Sequence, residues 1–312
     1  MKAFIVGGAG FVGSYLIEHL KDCYNWDISV TKLPHEVLVT TDAAVFDLDI
    51  LDKKSIISLL NEIKPDYVFH LAAQSSISVS WQNPTLTVDI NINGTINVLD
   101  AIREATLSPR ILLIGSGEEY GYITLDEVPI KESCSTHPGN IYAATKACQN
   151  MIGHIYAHAY DMDLMMVRAF NHIGPGQSPL FVVSDFCKQV AEIEKELKDP
   201  VIRVGNLNVK RDFTDVRDVV KAYGLLMEKG SKDETYNVGS GHAVEIKNIL
   251  DLILTFSKKD IVIEVDKDKL RPSDVPVIEA DIQKLVAATG WTHDISLERT
   301  IVETLDYWRN AL

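Results

Sequence analysis

The first twenty residues constrain this chain most. Ala3-Phe4-Ile5-Val6 is an unbroken apolar run, Gly7-Gly8-Ala9-Gly10-Phe11-Val12-Gly13 follows at once, and Ser14 to Leu20 has helical spacing. The pattern predicts a buried strand, a glycine turn and a helix. In such a turn Gly7 lets the chain bend sharply, Gly10 leaves room for a pyrophosphate beside the backbone, and Gly13 lets helix and strand pack closely. Free N–H groups and the positive end of the helix dipole then face the phosphates. A glycine triplet alone is weak evidence. One that ends a strand and opens a helix is the context that dinucleotide binding requires, with Phe11 and Val12 among the contacts.

The alternation continues. Apolar runs predict strands at 28–31, 45–50, 65–73, 111–114 and 165–170, with helical spacing at 52–63, 91–105 and 141–160. Strands that alternate with helices imply an α/β fold, a doubly wound parallel sheet with right-handed crossovers. A Gly/Pro run after Asn171 marks a boundary, and beyond it the elements are shorter and mixed, with a helix at 186–197, a strand at 202–205 and a helix at 221–229. The expected division is a dinucleotide-binding domain over 1–172, rejoined by 212–240, and a smaller substrate-binding region from 173–211 and 241–312. Ligands of such sheets bind at the carboxyl ends of the strands. That edge receives Leu71, Ala72 and Ala73, small enough for backbone to approach a cofactor, then Ser75 and Ser76, and later Ser116 and Glu118.

The second strand ends in Thr31-Lys32, with no carboxylate before Glu36. A cation and a hydroxyl suit a 2′-phosphate better than a free 2′-hydroxyl, so NADPH is expected, with NADH the alternative.

Composition removes several classes. The 312 residues carry a net charge of −14 and no dense basic stripe, which excludes nucleic acid as the expected partner. No run of about 18 apolar residues would span a membrane. Met1-Lys2 leads straight into the first strand without a signal-peptide pattern, so a cytoplasmic protein is expected. Cys23, Cys134, Cys148 and Cys187 are scattered, and His154 and His158 share a helix face with no third ligand in sight, so no metal is expected.

The chemistry gathers on three side chains. Tyr142 and Lys146, four apart on one helix, share a face, and Ser116 ends the preceding strand. A phenol titrates near about 10 and is a poor acid–base catalyst at neutral pH unless perturbed. A lysine ammonium one turn away is expected to favour the phenolate. Ser116 can hydrogen-bond the same substrate oxygen. Such a group suits hydride transfer at a secondary alcohol or ketone, with Tyr142 moving the proton.

Together these motifs resemble the extended short-chain dehydrogenase/reductase family, whose dinucleotide domain is of Rossmann type. Gly7-x-x-Gly10-x-x-Gly13, Asp49-Ile50, His70-Leu71-Ala72-Ala73, Asn91-x-x-Gly94-Thr95, Tyr142-x-x-x-Lys146 and Arg211-Asp212-Phe213-x-Asp215-Val216-x-Asp218 fall in family order over nearly the whole length. The resemblance implies that Asp49 and Ile50 flank adenine and that Lys146 also holds the nicotinamide ribose. Within the family, Arg168 to Gln177, Val204-Gly205-Asn206-Leu207 and Leu270 to Pro276 are most similar to enzymes of GDP-6-deoxyhexose synthesis. These include reductases that convert GDP-4-dehydro-6-deoxy-D-mannose to GDP-D-rhamnose and the related GDP-mannose 4,6-dehydratases. The resemblance implies sugar-nucleotide contacts from Asn171, Val204, Asn206, Arg211, Arg271 and Asp274, and a homodimer or homotetramer packed through the 91–105 and 142–160 helices. A dehydratase wants a polar side chain between its Ser/Thr and its glutamate. Here that position is Gly117, which favours the 4-ketoreductase, while Glu118 keeps the dehydratase as the alternative. A 4-epimerase and a non-catalytic nucleotide sensor are the remaining readings.

Overall fold

The computed structural model describes residues 1–38, 42–269 and 275–312. Its first half runs β1 (Lys2–Val6), α1 (Phe11–Tyr24), β2 (Asp27–Lys32), β3 (Ala44–Asp47), α2 (Lys53–Ile63) and β4 (Tyr67–His70). Then come α3 (Ile77–Gln82), α4 (Pro84–Val88), a π-helical turn at Asp89–Asn93, α5 (Gly94–Glu104), β5 (Arg110–Ser116), α6 (Ile141–Ala159) and β6 (Leu164–Ala169). The second half holds β7 (Asn171–Ile173), α7 (Val182–Glu194), β8 (Val201–Val204), β9 (Lys210–Asp215), α8 (Val216–Lys229) and β10 (Thr235–Val238). It closes with β11 (Ala243–Glu245), α9 (Ile246–Thr255), β12 (Val262–Val265), β13 (Val277–Ile278), α10 (Gln283–Thr289) and α11 (Leu297–Ala311).

Seven parallel strands form the main sheet in the order β10-β6-β5-β4-β1-β2-β3. The chain winds outward from β1 to β2 and β3, then returns to lay β4, β5 and β6 on the other side. The strand order therefore reverses between β1 and β4, which places the glycine turn at the crevice where such sheets bind ligands. Leu16, Ile17 and Leu20 of α1 pack with Val219, Val220 and Leu226 of α8 on one face. Ile56 and Leu60 of α2 pack with Val98, Leu99 and Ile102 of α5 on the other. These helix residues recur at three- and four-residue spacing, so one stripe of each helix is buried and the opposite stripe faces water.

Smaller sheets carry the remainder. β9 lies between β11 and β13 and also pairs with β7, while β8 pairs with β12. The aliphatic stripes of α7, α9 and α11 cover them in a separate core around Val190, Ile253 and Ile301. β10 returns to the edge of the main sheet beside β6.

Several elements differ from expectation. β3 stops at Asp47; the chain then bends, and Leu48 and Ile50 point into the core from the loop. The helix expected at 91–105 begins as the π turn at Asp89, and α7 starts at Val182 rather than near 186. The charge-dense stretch 210–218 is largely buried. Asp212 accepts hydrogen bonds from the main-chain N–H groups of Ser240, Gly241 and Ala280, Asp215 receives Thr300 Oγ1 at 2.7 Å, and Asp218 receives the N–H groups of Asp294 and Ile295. Each carboxylate ties β9 or α8 to a later segment. His154 and His158 do have an acidic companion: Asp233 lies 2.7 and 3.7 Å from their Nδ1 atoms. Thr235 Oγ1 takes the other nitrogen of His154 at 3.2 Å, and no group of three metal-ligating side chains occurs among the described residues.

Candidate active site

The cofactor end is shaped by missing side chains. Gly7 has φ +83°, and a Cβ there would stand 2.5 Å from Ala72 Cα. At Gly13 a Cβ would fall 2.2 Å from Gly8 O, so α1 rests directly on the turn. Around Gly10 the space is open, with only Gly7 O as near as 4.0 Å. Gly10 is also the N-cap of α1 and brings no side chain to the free N–H groups of the first turn. Unfilled space before uncapped donors is what a pyrophosphate requires, so the residues present fit a dinucleotide. Beside the turn, the Phe11 ring stacks on His172 with centroids 6.1 Å apart. Leu71 and Ala72 follow β4 with both N–H groups donated to Val6 O, which holds the second wall of the crevice against the first.

Thr31 is buried, and its Oγ1 accepts the Gly7 N–H at 3.0 Å. It props the glycine turn instead of offering its hydroxyl outward, a correction to the expectation from sequence. Lys32 reaches Asp47 at 2.6 Å because β2 and β3 pair in parallel with these two residues in register. A carboxylate therefore does stand at this edge, from a strand that spacing along β2 did not reveal. Asp49 is exposed and accepts the Leu51 N–H, whereas Ile50 packs its side chain against Gly94.

The reactive groups meet where β5 ends. Ser116 caps a short 3-10 turn, its Oγ accepting the Glu118 N–H at 3.2 Å. The Ser116 hydroxyl lies close enough to the Tyr142 phenol to favour its ionised form. Asn140 caps α6 through the Ala143 N–H at 2.8 Å and donates its Nδ2 to Glu118 Oε2 at 3.4 Å. That residue was missed from the sequence, although an asparagine one position before a helical pattern is a capping signal. Ser116, Gly117 and Glu118 line a small cleft with Phe170, Asn171 and Ile278. Gly117 faces the ring of Phe170, which a Cβ would approach to 3.1 Å.

Electrostatics overturn one expectation. Burial pushes the Tyr142 phenol well above its ordinary value, Ser116 works in the opposite direction, and the carboxylates of Glu118 and Glu119 add to the rise. Lys146 is itself buried, which lowers its ammonium to about 8. It donates to Ile114 O at 2.7 Å and Gln149 Oε1 at 2.9 Å. The phenol is thus held protonated, and the spacing of four does not make it acidic. A buried phenol loses more by shedding its proton than a cation one turn away restores.

Of the expected substrate contacts, Asn171 lies in the cleft. Ser75 is exposed, and Ser76 spends its hydroxyl on the N–H of Val79 at the start of α3. Val204 is fully buried at the end of β8, so its side chain belongs to the core and does not reach a ligand. Asn206 Oδ1 turns back to the Asn208 N–H. Arg211 is buried and gives Nη1 to Lys210 O and Val275 O, each at 2.8 Å. Arg271 and Asp274 lie outside the described residues.

A reversing parallel sheet with an open, uncapped glycine turn, and a buried serine–tyrosine pair beyond it, define an oxidoreductase of the short-chain dehydrogenase/reductase type. The family model described as GDP-mannose 4,6 dehydratase matches residues 4–304. The chain is 30% identical to GDP-6-deoxy-D-mannose reductase of Pseudomonas aeruginosa over 100% of its own length and 98% of that protein. Among solved structures, RMD from Pseudomonas aeruginosa complexed with NADPH has a TM-score of 0.89 at 30% identity, covering 100% of this chain and 99% of that one. UDP-glucose 4-epimerase of Thermus thermophilus, complexed with NAD, reaches 0.88 at 27% identity, with 100% of each chain covered. The chain belongs to the GDP-mannose 4,6 dehydratase family. No helix among the described residues is long and apolar enough to cross a membrane.

Proposed function

We propose that this protein reduces the C4 ketone of GDP-4-dehydro-6-deoxy-D-mannose with NADPH, giving GDP-D-rhamnose. The observation that carries the choice of reductase over dehydratase is the contact between Gly117 and the Phe170 ring. A dehydratase must help a C6 hydroxyl leave, and a side chain beside Ser116 would serve it. Here glycine supplies none, and an aromatic ring occupies the space. The Pseudomonas relatives support the same reading, one by the reaction in its name and the other by the NADPH with which its structure was solved.

When bound, the dinucleotide would supply the hydride that C4 receives. Gly7, Gly10 and Gly13 keep the backbone clear for it, and the first-turn N–H groups of α1 would hold its phosphates. Ser116 and Tyr142 take the C4 oxygen between their hydroxyls. As charge builds on that oxygen, Tyr142 gives up its proton, so the ketone gains one hydride and one proton and becomes an alcohol. A phenol kept protonated by burial suits this direction, because the developing alkoxide is the stronger base. Lys146, one helical turn from Tyr142, adds a positive charge held at Ile114 O and Gln149 Oε1, and Asn171 and Glu118 border the sugar.

Purified protein incubated with the ketosugar and NADPH should consume the reduced nicotinamide absorbance, and unchanged absorbance refutes the assignment. Tyr142→Phe should retain cofactor affinity while losing about 10²- to 10⁴-fold in kcat. A nucleotide sensor would lose nothing. The dehydratase reading rests on Glu118, which lines the cleft, and would convert GDP-mannose to a 4-keto product without net cofactor use. A homodimer acting in the cytoplasm completes the proposal. Met151 and Ile155 are each 59% exposed on α6 and give it an apolar outer stripe for a second copy to cover.

A further inference from the structure

We propose that Glu119, which enters none of the steps above, is the positioning residue for the proton-handling pair, acting through the Ser116 main chain and the charge on Lys146. The proposal rests on reading Tyr142 and Ser116 as that pair.

Glu119 is completely buried at the carboxyl edge of the main sheet. One oxygen, Oε1, accepts the Ser116 N–H at 2.8 Å, and Oε2 accepts Arg168 Nε at 2.9 Å. The local chain is built to admit it. A Cβ at Gly115 would stand 2.3 Å from Glu119 Oε1, so the carboxylate occupies the space that any other residue's side chain would need there. Ser116 is gripped from both sides: its N–H by Glu119, its Oγ by the Glu118 N–H at 3.2 Å. That double hold completes a capping box and fixes the hydroxyl that acts on the Tyr142 phenol.

The charge has a second target. The titratable groups that face Lys146 are Glu119 and His70, and burial keeps His70 neutral by lowering it to about 3. Burial pushes Glu119 up to about 7 while Arg168 and Lys146 pull it back, so it is ionised where Lys146, at about 8, titrates; Tyr142 also faces it, and Arg168 in turn lies over the Tyr120 ring at 4.6 Å. Arg168 alone would satisfy a purely structural carboxylate. Lys146 Nζ rests on Ile114 O at 2.7 Å and Glu119 Oε1 takes the Ser116 N–H at 2.8 Å, so the two charges meet at one strand end, and Glu119 opposes the loss of the ammonium that burial imposes. A fold needs the hydrogen bonds of this carboxylate; only the reaction is sensitive to its effect on the lysine.

Glu119→Gln separates the two roles, because glutamine keeps an oxygen for the Ser116 N–H and loses the charge. The Lys146 titration is followed without substrate, by NMR of protein labelled at lysine Cε and assigned with Lys146→Arg. Its midpoint should fall by about one pH unit, and the alkaline limb of kcat should move down with it while KM and NADPH affinity stay within about twofold. An unmoved midpoint in folded Glu119→Gln overturns the proposal. Should that variant not fold, Glu119→Gln with Arg168→Gln removes the buried pair together; the midpoint should still fall, by less because the Arg168 charge goes too, and an unmoved midpoint there also overturns the proposal. The lysine titration decides the matter even where wild-type protein leaves the ketosugar untouched, a result that would remove the substrate assignment alone.

Discussion

The Phe170 ring lies flat against the α-carbon of Gly117, close enough that a Cβ would come within 3.1 to 3.2 Å of three of its atoms. The residue that separates Ser116 from Glu118 is therefore held small by packing. Gly117→Ser should displace the ring and cost about 1–3 kcal/mol. Thermal unfolding should show the loss, and KM for the ketosugar should rise because Phe170 and Asn171 line the same cleft. A variant with wild-type stability and KM would show that the ring does not constrain this position.

At the adenosine end, Lys32 is shared with Asp47, whose side chain is 58% exposed. An ion pair this open to water is weak and is readily exchanged for a phosphate. Lys32→Ala should weaken NADPH by about tenfold, or 1.4 kcal/mol, with NADH little affected. Asp47→Asn should strengthen NADPH by freeing the ammonium. Fluorescence titration with both cofactors tests the pair, and equal effects on the two would assign Lys32 a structural role only.

Acid should destabilise the protein through His70. Its Nε2 meets Thr95 Oγ1 at 3.0 Å, its Nδ1 has no partner among the described residues, and burial lowers it from 6.5 to about 3. The unfolded chain binds a proton below 6.5 that the folded chain refuses. Stability from this group is complete above 6.5 and is lost as pH falls towards 3, at up to about 1.4 kcal/mol per pH unit. In denaturant titrations His70→Gln should flatten the slope between pH 6.5 and 4.5, and an unchanged slope would place the acid sensitivity elsewhere.

Charges on the outer stripe of α6 should dissociate the assembly. Met151→Lys with Ile155→Glu places two ions where a second copy is expected to bury apolar surface, and desolvating them costs several kcal/mol. Sedimentation should then report a monomer from a wild-type dimer. A wild-type monomer at micromolar concentration removes the proposed interface.

Much of the fold was legible in order along the chain. Gly7, Gly10 and Gly13 follow a strand and open a helix, and their conformation is set within seven residues, so local sequence was enough to place the turn. The alternation of apolar runs likewise announced the parallel sheet, because each βαβ unit is a nearest-neighbour structure. Tyr142, Ser116, Glu118 and Asn171 could be placed at one sheet edge for a related reason: each lies at or near the carboxyl end of a strand or in the first turn of a helix, positions that motif order reveals.

What escaped the sequence depends on partners distant in the chain. Thr31 turned inward because Gly7 needed an acceptor, and Lys32 acquired Asp47 through strand register 15 residues away. Asp212, Asp215 and Asp218 stand in a stretch dense in charge, yet each found buried donors contributed by segments 28 to 85 residues distant. Burial also reversed the expected electrostatics of Tyr142 and Lys146. Spacing along a helix states which side chains are neighbours, whereas the cost of a charge is set by how much water the whole fold leaves around it. The sequence by itself determined the scaffold and the residues at its carboxyl edge; only the tertiary structure decided which of them carry charge and which prop up another.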